Sequence, residues 1–91
     1  MNNVDLSKEA SKQLEKVDLK IIERMLFSLI QDGSERKTLL ARKTNLNYDY
    51  FIRYLEFLEL IDLIKRETRN RDEIISVSDL GRSFYLRRFS E

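Results

Sequence analysis

The chain has 91 residues, of which 42% are hydrophobic and 36% are charged, with 17 Lys and Arg against 16 Asp and Glu. This composition suits one small domain with a single hydrophobic core and argues against intrinsic disorder. Cysteine and histidine are absent, which excludes disulfides, thiolate zinc sites, and Ser-His-Asp or Cys-His catalysis. Two glycines are too few for a dinucleotide-binding or P-loop motif, and no apolar run is long enough for a membrane span or a signal peptide. We expect a soluble protein that is not an enzyme and that holds no metal, cofactor or small-molecule ligand.

The N-terminal segment predicts a helix over residues 5–16 with a narrow apolar stripe. The stripe consists of Leu6, Ala10, Leu14 and Val17, spaced by three or four residues as on one helix face. It is too narrow for a helix at the centre of a core, so it packs either on its own domain or on a partner. We favour dimerisation through this helix, aided by the last helix of the chain.

A second helix with a wider apolar face is predicted from Leu19, with Asp18 as its N-cap. It ends near Gly33, which suits a C-cap conformation. A short helix follows, with Thr38 as its predicted N-cap and an apolar part at residues 39–41.

Residues 44–47 predict a tight turn, in which Leu46 plugs the core and Asn47 caps a third helix. That helix runs from Tyr48 to about Leu58. Its predicted core face is Phe51, Leu55 and Leu58, flanked by Ile52 and Tyr48.

After residue 59 the apolar pattern changes from the helical period to that of strands. The runs 60–64 and 74–77 are short, apolar and β-branched, and the polar stretch 65–73 separates them. Two strands joined by a polar tip predict a β-hairpin. Ser78 or Asp79 then caps a last helix. Its predicted apolar face is Leu80, Phe84, Tyr85 and Phe89.

A tight turn between two helices, followed directly by a hairpin, is the winged helix-turn-helix arrangement. The predicted fold class is therefore mainly α with a β-hairpin, a winged helix-turn-helix preceded by an extra N-terminal helix. The helices share one core, and the hairpin closes its open side. The third predicted helix keeps one face free to enter a DNA major groove.

Three runs of the sequence resemble the small archaeal winged-helix DNA-binding proteins. They are residues 37–48 (KTLLARKTNLNY), 54–61 (YLEFLELI) and 77–84 (VSDLGRSF), in compatible order and spacing. The resemblance covers roughly residues 19–89 and implies binding of double-stranded DNA, usually as a homodimer. Members of this family include transcription regulators, small chromatin-associated proteins and site-binding proteins of archaeal plasmid partition systems.

The sequence departs from one branch of that family. Chromatin-type members end in a long helix that pairs as a coiled coil, whereas this sequence stops two residues after Phe89. The helix predicted over residues 5–16 is present instead. We therefore divide the chain into residues 1–17, a candidate dimerisation element, and residues 18–91, a winged helix-turn-helix DNA-binding domain.

The basic residues cluster where such a fold contacts DNA. Residues 34–53 hold five Lys and Arg against two acids, and residues 65–71 hold four against one. The first cluster covers the helix-turn-helix and the second covers the hairpin tip, the two parts that straddle DNA in a winged helix. Chance clustering in a highly charged chain is the alternative, and the fold pattern favours DNA binding.

The third predicted helix carries the candidates for base reading. A period of about 100° per residue groups Tyr50, Arg53, Tyr54 and Phe57 away from the core face. Arg53 suits a bidentate pair with guanine, whereas Asn47 either reads adenine or caps the helix, and we favour the cap. The tyrosines suit phosphate or sugar contacts. Alternatively, Tyr54 and Phe57 pack under the wing or in a dimer seam, which we prefer for Phe57. The candidate DNA contacts here are Asn47, Tyr48, Tyr50, Arg53 and Tyr54.

The supporting helix, the turn and the hairpin tip carry the candidates for contacts to the DNA backbone and the minor groove. The predicted phosphate contacts are Lys37, Thr38, Arg42, Lys43, Thr44 and Asn45. Arg69, Asn70 and Arg71 form the tip, and arginine suits the negative potential of a narrow minor groove. For each of these residues, a solvated surface position is the alternative.

We expect a homodimer that binds double-stranded DNA at a palindromic site, with two recognition helices in successive major grooves. Its use is either transcription regulation or DNA organisation and plasmid partition at a centromere-like site, and its location is the cytoplasm, in association with the nucleoid. The alternative is a winged-helix protein–protein interaction module that binds no DNA. The positions of Arg53 and the hairpin arginines favour DNA.

Overall fold

In a computed structural model, which describes residues 17–89, the chain forms four helices and three strands. In chain order these are α1 (Leu19–Asp32), β1 (Glu35–Arg36), α2 (Lys37–Thr44), α3 (Tyr48–Leu60), β2 (Ile64–Arg69), β3 (Asp72–Val77) and α4 (Asp79–Arg88). The predicted fold class, mainly helical with a β-hairpin, is confirmed. The helix predicted over residues 5–16 lies outside the described residues.

Local capping interactions set the ends of α1 and α4 as predicted. The side chain of Asp18 accepts a hydrogen bond of 2.9 Å from the backbone N–H of Lys20. Gly33 ends α1 with φ +83°, a left-handed value that favours glycine. The Ser78 hydroxyl accepts a bond of 2.9 Å from the Gly81 N–H and thereby caps α4. These helix caps can be predicted from the sequence because each depends on one polar side chain or on one glycine.

The start of α2 differs from the prediction. Thr38 is the predicted N-cap, but the helix begins at Lys37, after Arg36 in extended conformation, and no side chain of residues 17–89 caps it. Glu35 and Arg36 pair with β3 as a third, two-residue strand. This pairing carries extended backbone up to Arg36, which places the helix start one residue before Thr38. A strand of two residues has no period that sequence could show.

The hydrophobic core lies between α1, α2, α3 and the sheet. The predicted core face of α3 is confirmed, since Phe51, Leu55 and Leu58 are fully buried. Leu46, in the turn before α3, packs against this core as predicted. The other buried apolar residues are Ile22, Met25, Leu26, Leu29, Leu40, Tyr54, Leu63, Ile64 and Ile75. Burial of this apolar surface is the main source of stability for the fold.

The three strands form one antiparallel sheet in the order β1-β3-β2. The β2–β3 hairpin, here called the wing, has longer strands than the sequence predicted. Residues 60 and 61 end the helical segment instead of starting a strand, and Asp62 turns the chain with φ +66°. Most of the stretch 65–73, predicted as a polar tip, is paired strand. Backbone pairing, and not burial, holds this part of the wing, so its sequence lacks an apolar alternation.

A two-residue turn closes the wing. Asn70 and Arg71 both have positive φ, 49° and 74°, between the paired residues Arg69 and Asp72. Two consecutive left-handed residues are the mark of a type I′ turn, whose handedness matches the twist of the strands. Asn suits the first position, while Arg at the second carries a steric penalty that glycine would not.

The last helix packs closely on the corner between α3 and β2. A Cβ added at Gly81 would lie 2.0 Å from the carbonyl oxygen of Leu63, so only glycine fits there. Phe84 and Tyr85 are half-buried against the core, as predicted. Leu80, the first residue of the predicted face, is 56% exposed and lines a surface cavity together with Leu63 and Phe84.

Candidate nucleic-acid interface

The free face of α3 lies opposite the core. Its N-cap residue Asn47 accepts bonds from the N–H groups of Asp49 (2.8 Å) and Tyr50 (3.4 Å), so the predicted cap is confirmed. Tyr48 and Tyr50 are about half exposed, and Arg53 is exposed. The first two turns of α3 therefore present aromatic hydroxyls and one guanidinium to solvent.

Tyr54 does not lie on that face, and the prediction that groups it with Tyr50 and Arg53 is wrong. Only 2% of Tyr54 is exposed. It lies three residues after Phe51 and four before Leu58, and this spacing places all three on the core face. Tyr54 is consequently part of the core and not available to DNA.

Thr44 is a second candidate that the structure removes from the surface. Only 1% of it is exposed, and its hydroxyl donates to the carbonyl of Ala41 at 2.8 Å. Its own carbonyl accepts from a guanidinium nitrogen of Arg24, also at 2.8 Å. Thr44 thus fixes the C-terminal end of α2, and Asn45 follows it as an exposed C-cap residue with φ +57°.

Many of the basic side chains predicted to face DNA are paired with carboxylates of the same chain. The ion pairs are Arg36–Asp72 (3.6 Å), Lys37–Glu73 (2.9 Å), Lys43–Asp32 (2.8 Å), Lys43–Glu35, Arg66–Glu59 (3.2 Å), Arg66–Glu73 (2.6 Å) and Arg69–Glu67 (2.6 Å). Such pairs at a protein surface are individually weak, so a DNA phosphate competes with them readily. The positive clusters of the sequence are nevertheless largely neutralised in the fold.

Lys43 is the clearest example. Its ammonium group lies against Asp32 at the end of α1 and Glu35 in β1, instead of pointing to open solvent. Hydrogen bonds to Asp32 and then to Glu35 raise the pKa of Lys43. The Glu35 side chain is only 6% exposed, and its second oxygen is buried without a hydrogen-bond partner among the described residues. Lys43 therefore ties α2 to the corner between α1 and β1.

Three basic side chains of the predicted interface make no ion pair with a described residue. Arg42 lies on the exposed side of α2, Lys65 near the base of the wing and Arg71 at its tip. Thr38, Asn45 and Asn70 are exposed as well. The uncapped start of α2 and the wing tip face each other across a shallow cavity of about 220 Å³. Its lining is Arg36, Lys37, Thr38, Arg71, Asp72 and Glu73.

Sequence reasoning missed the acidic side of this surface. Glu73 lies on the same sheet face as the buried Ile75, because strand residues two apart share a face. The period-two spacing of Glu73, Ile75 and Val77 was the available signal. The sequence analysis places Glu73 in the polar tip and not in a strand, so this spacing does not stand out. Among residues 17–89, no three acidic side chains gather into a set able to hold a metal ion.

Within the described part of the chain, no helix combines the length and the apolarity that crossing a membrane requires.

The geometry agrees with comparisons to known proteins. The chain belongs to the winged helix-turn-helix family, which matches it over residues 16–87. No curated protein sequence matches the chain. Its fold is similar to that of the transcriptional regulator PA4135, with a TM-score of 0.72, 16% identity, and coverage of 88% of this chain and 60% of that one.

Two further structures share the fold. The MarR family transcriptional regulator SPO1453 from Silicibacter pomeroyi DSS-3 aligns with a TM-score of 0.65 and 21% identity, over 87% of this chain and 61% of that one. Reduced AbfR bound to DNA aligns with a TM-score of 0.61 and 21% identity, over 85% and 57%. The chain therefore spans about three fifths of the length of these structures.

Proposed function

We propose that this protein binds double-stranded DNA with sequence preference and acts as a transcription regulator. The observation that carries the proposal is the exposed face of α3, which presents Tyr50 and Arg53 opposite a fully buried core face, with the wing beside it. A helix with this exposure fits a major groove. The similar fold of AbfR, which is bound to DNA in its structure, supports the proposal.

The exposed residues divide between reading and positioning roles. Arg53 is the candidate for bidentate contact with guanine, and the hydroxyls of Tyr48 and Tyr50 suit phosphate contacts. Arg42 suits a phosphate beside the major groove, and Arg71 suits the minor groove under the wing. Asn47 is committed to capping α3, so we assign it no base contact.

The finer features of the proposal are a homodimer and a palindromic site. Exposed apolar residues on α1 and α4, namely Phe27, Leu80 and Leu86, support a further interface on the side of these helices. We retain residues 1–17 as the candidate dimerisation element. Sedimentation equilibrium on the full chain and on a chain lacking residues 1–16 tests this. A dimer that survives the deletion moves the interface to α1 and α4.

The partition or chromatin role implied by the archaeal resemblance, with location at the nucleoid, is the alternative use of the same DNA binding. Footprinting distinguishes the two uses. One protected palindrome supports a regulator, whereas protection that extends along the DNA supports an organising or partition role.

One observation favours a different class of function, a protein–protein interaction module. The exposed face of α3 also carries Asp49 and Glu56, and carboxylates repel phosphate. Asp49 lies in the first turn of α3, where a negative charge stabilises the helix dipole. Glu56 has no such role and is the residue that most favours this alternative.

Selection of duplexes from a random library tests the DNA proposal directly. We expect one enriched sequence. On that sequence, Arg53→Ala should reduce affinity by about 1–3 kcal/mol, with a much smaller effect on scrambled DNA. Arg82→Ala, on the exposed surface of α4, is the matched control and should leave both affinities unchanged. Failure of any duplex to enrich would favour the protein–protein module.

A further inference from the structure

A chain of ion pairs centred on Glu73 joins the wing to both helices of the helix-turn-helix. Glu73 of β3 accepts through Oε1 from the Lys37 ammonium at the start of α2, at 2.9 Å. Its Oε2 accepts from Arg66 of β2, at 2.6 Å and 2.9 Å from two guanidinium nitrogens. Arg66 donates in turn to Glu59 near the end of α3, at 3.2 Å. The chain of pairs therefore runs from α2 through both wing strands to α3.

The place of Glu73 in the sheet explains why this link matters. Ile75 is fully buried, and Glu73 is the next residue on the same face toward the tip. From Glu73 outward, no wing residue is buried. The Glu73 and Lys37 side chains are 29% and 25% exposed, and Arg66 is 18% exposed, so the pairs are partly shielded from water. These ion pairs lie at the point along the wing where apolar packing against the core ends.

We propose that Glu73 is a positioning residue that fixes the angle of the wing against α2 and α3. The proposal rests on the DNA binding proposed above and deepens it. A fixed angle sets the distance between the wing tip and α3. That distance determines which DNA groove geometry lets the wing tip and α3 contact the duplex at the same time. A hydrogen bond from Lys37 is the main reason that the pKa of Glu73 is lowered, so the carboxylate stays ionised at neutral pH. The negative charge of Glu73 lies beside the proposed DNA interface, and its role there is to hold the wing in place against α2 and α3.

The wing supplies a matched control in Glu67. This residue lies on the opposite face of the sheet from Glu73. Its ion pair is with Arg69 of its own strand, and both side chains are more than half exposed. Glu67→Gln and Glu73→Gln therefore remove the same charge from the same hairpin, but only the second breaks a link to the helices.

Two measurements on the full chain test the proposal. The first is affinity for the selected duplex and for a scrambled duplex, by fluorescence anisotropy. Glu67→Gln should raise both affinities by the same factor. Glu73→Gln should raise affinity for scrambled DNA but lower the ratio of selected to scrambled affinity by about fivefold to tenfold. Glu73→Asp keeps the negative charge but has a side chain one methylene shorter. It should also lower the ratio of selected to scrambled affinity, while affinity for the scrambled duplex stays unchanged.

The second measurement is hydrogen exchange of the wing amides without DNA. Exchange between residues 65 and 75 should accelerate in Glu73→Gln and Glu73→Asp, and not in Glu67→Gln, while core amides of α1 and α3 keep their protection. Identical behaviour of the Gln variants in both measurements overturns the proposal, because Glu73 would then act through its charge alone. If the natural chain binds no DNA, the proposed function fails, and the exchange data still decide whether Glu73 fixes the wing.

Discussion

The hydroxyl of Tyr54, in the middle of α3, accepts a hydrogen bond of 2.8 Å from the backbone N–H of Asp18, the residue that caps α1. One buried side chain thus connects the start of the first helix to the helix with the free face. The bond favours one rotation of α3 about its axis. That rotation decides which side chains, Tyr50 and Arg53 among them, face outward.

The first prediction concerns this bond. Tyr54→Phe should destabilise the protein by about 1 kcal/mol, since one partly buried hydrogen bond is lost and the ring is kept. Tyr50→Phe is the control and should leave stability within about 0.5 kcal/mol, because Tyr50 is 47% exposed. Urea unfolding measures both. Loss of DNA affinity in Tyr54→Phe with unchanged stability would show that the hydroxyl reaches DNA instead.

The second prediction separates capping from base reading at Asn47. Asn47→Ala should cost about 1 kcal/mol of stability, because the N–H groups of Asp49 and Tyr50 lose their acceptor. Asn47→Ser supplies another capping oxygen and should restore most of it. Thermal unfolding and DNA titration of both variants are the measurements. If Asn47→Ser restores stability but not sequence preference, Asn47 reads a base as well.

The third prediction concerns the turn of the wing. Arg71→Gly should stabilise the protein by about 1 kcal/mol, because glycine adopts the φ of +74° without a steric penalty. Arg71→Gln keeps the penalty and should leave stability unchanged. Both variants remove the same charge, so both should weaken DNA binding equally. Unequal DNA affinities would indicate that the shape of the turn matters to binding beyond its charge.

The fourth prediction is a dependence on pH. The pKa of Glu73 is lowered from its ordinary value of 4.5, mainly by the hydrogen bond from Lys37, and that of Lys37 is raised from 10.5, mainly by the same bond. The contribution of Glu73 to stability is therefore present above about pH 4.5 and is lost as pH falls through its folded-state pKa. The contribution of Lys37 is present below pH 10.5 and is lost as pH rises further.

Unfolding free energy should accordingly decline below pH 4.5, and the decline should be shallower in Glu73→Gln than in the natural chain. Glu67→Gln serves as reference, since the pKa of Glu67 is also lowered, by a hydrogen bond from Arg69, but both side chains of that pair are exposed. Equal profiles for the natural chain and Glu73→Gln would contradict the prediction.

The fifth prediction uses salt. If Arg42, Lys65 and Arg71 each neutralise one phosphate, about three counterions are released per subunit, and about six per dimer. The plot of log K against log salt should then have a slope of about −2.7 per subunit and about −5 per dimer. Arg71→Gln should flatten the slope by about 0.9 per subunit. An unchanged slope would place the wing tip away from the DNA backbone.

The features that sequence predicted well are those decided by single residues or by a clear period. The caps at Asp18, Asn47 and Ser78 and the core face of α3 followed from local chemistry. The burial of Tyr54 did not, because an aromatic side chain with a hydroxyl suits either a core or a surface until its partner, Asp18, is known. The length of the wing was missed because paired backbone holds strands that carry no apolar pattern.

The distribution of charge in the fold was harder to predict from the sequence than the helix caps and the core face. Counting basic residues along the chain gave a positive helix-turn-helix and a positive wing tip. The fold then brings Asp32, Glu35 and Glu73, from three different segments, against Lys43 and Lys37. Pairings between residues distant in sequence depend on topology, so a count over a window cannot anticipate them.

The matching of lysines and arginines by carboxylates also has a kinetic consequence. A surface whose charges are already compensated generates only a weak field beyond the Debye length, so encounter with DNA gains little from long-range attraction. Association should approach the rate of an unsteered pair, on the order of 10⁵–10⁶ M⁻¹s⁻¹. If the chain binds DNA as proposed, its preference for the correct sequence should therefore rest on slow dissociation and not on fast association.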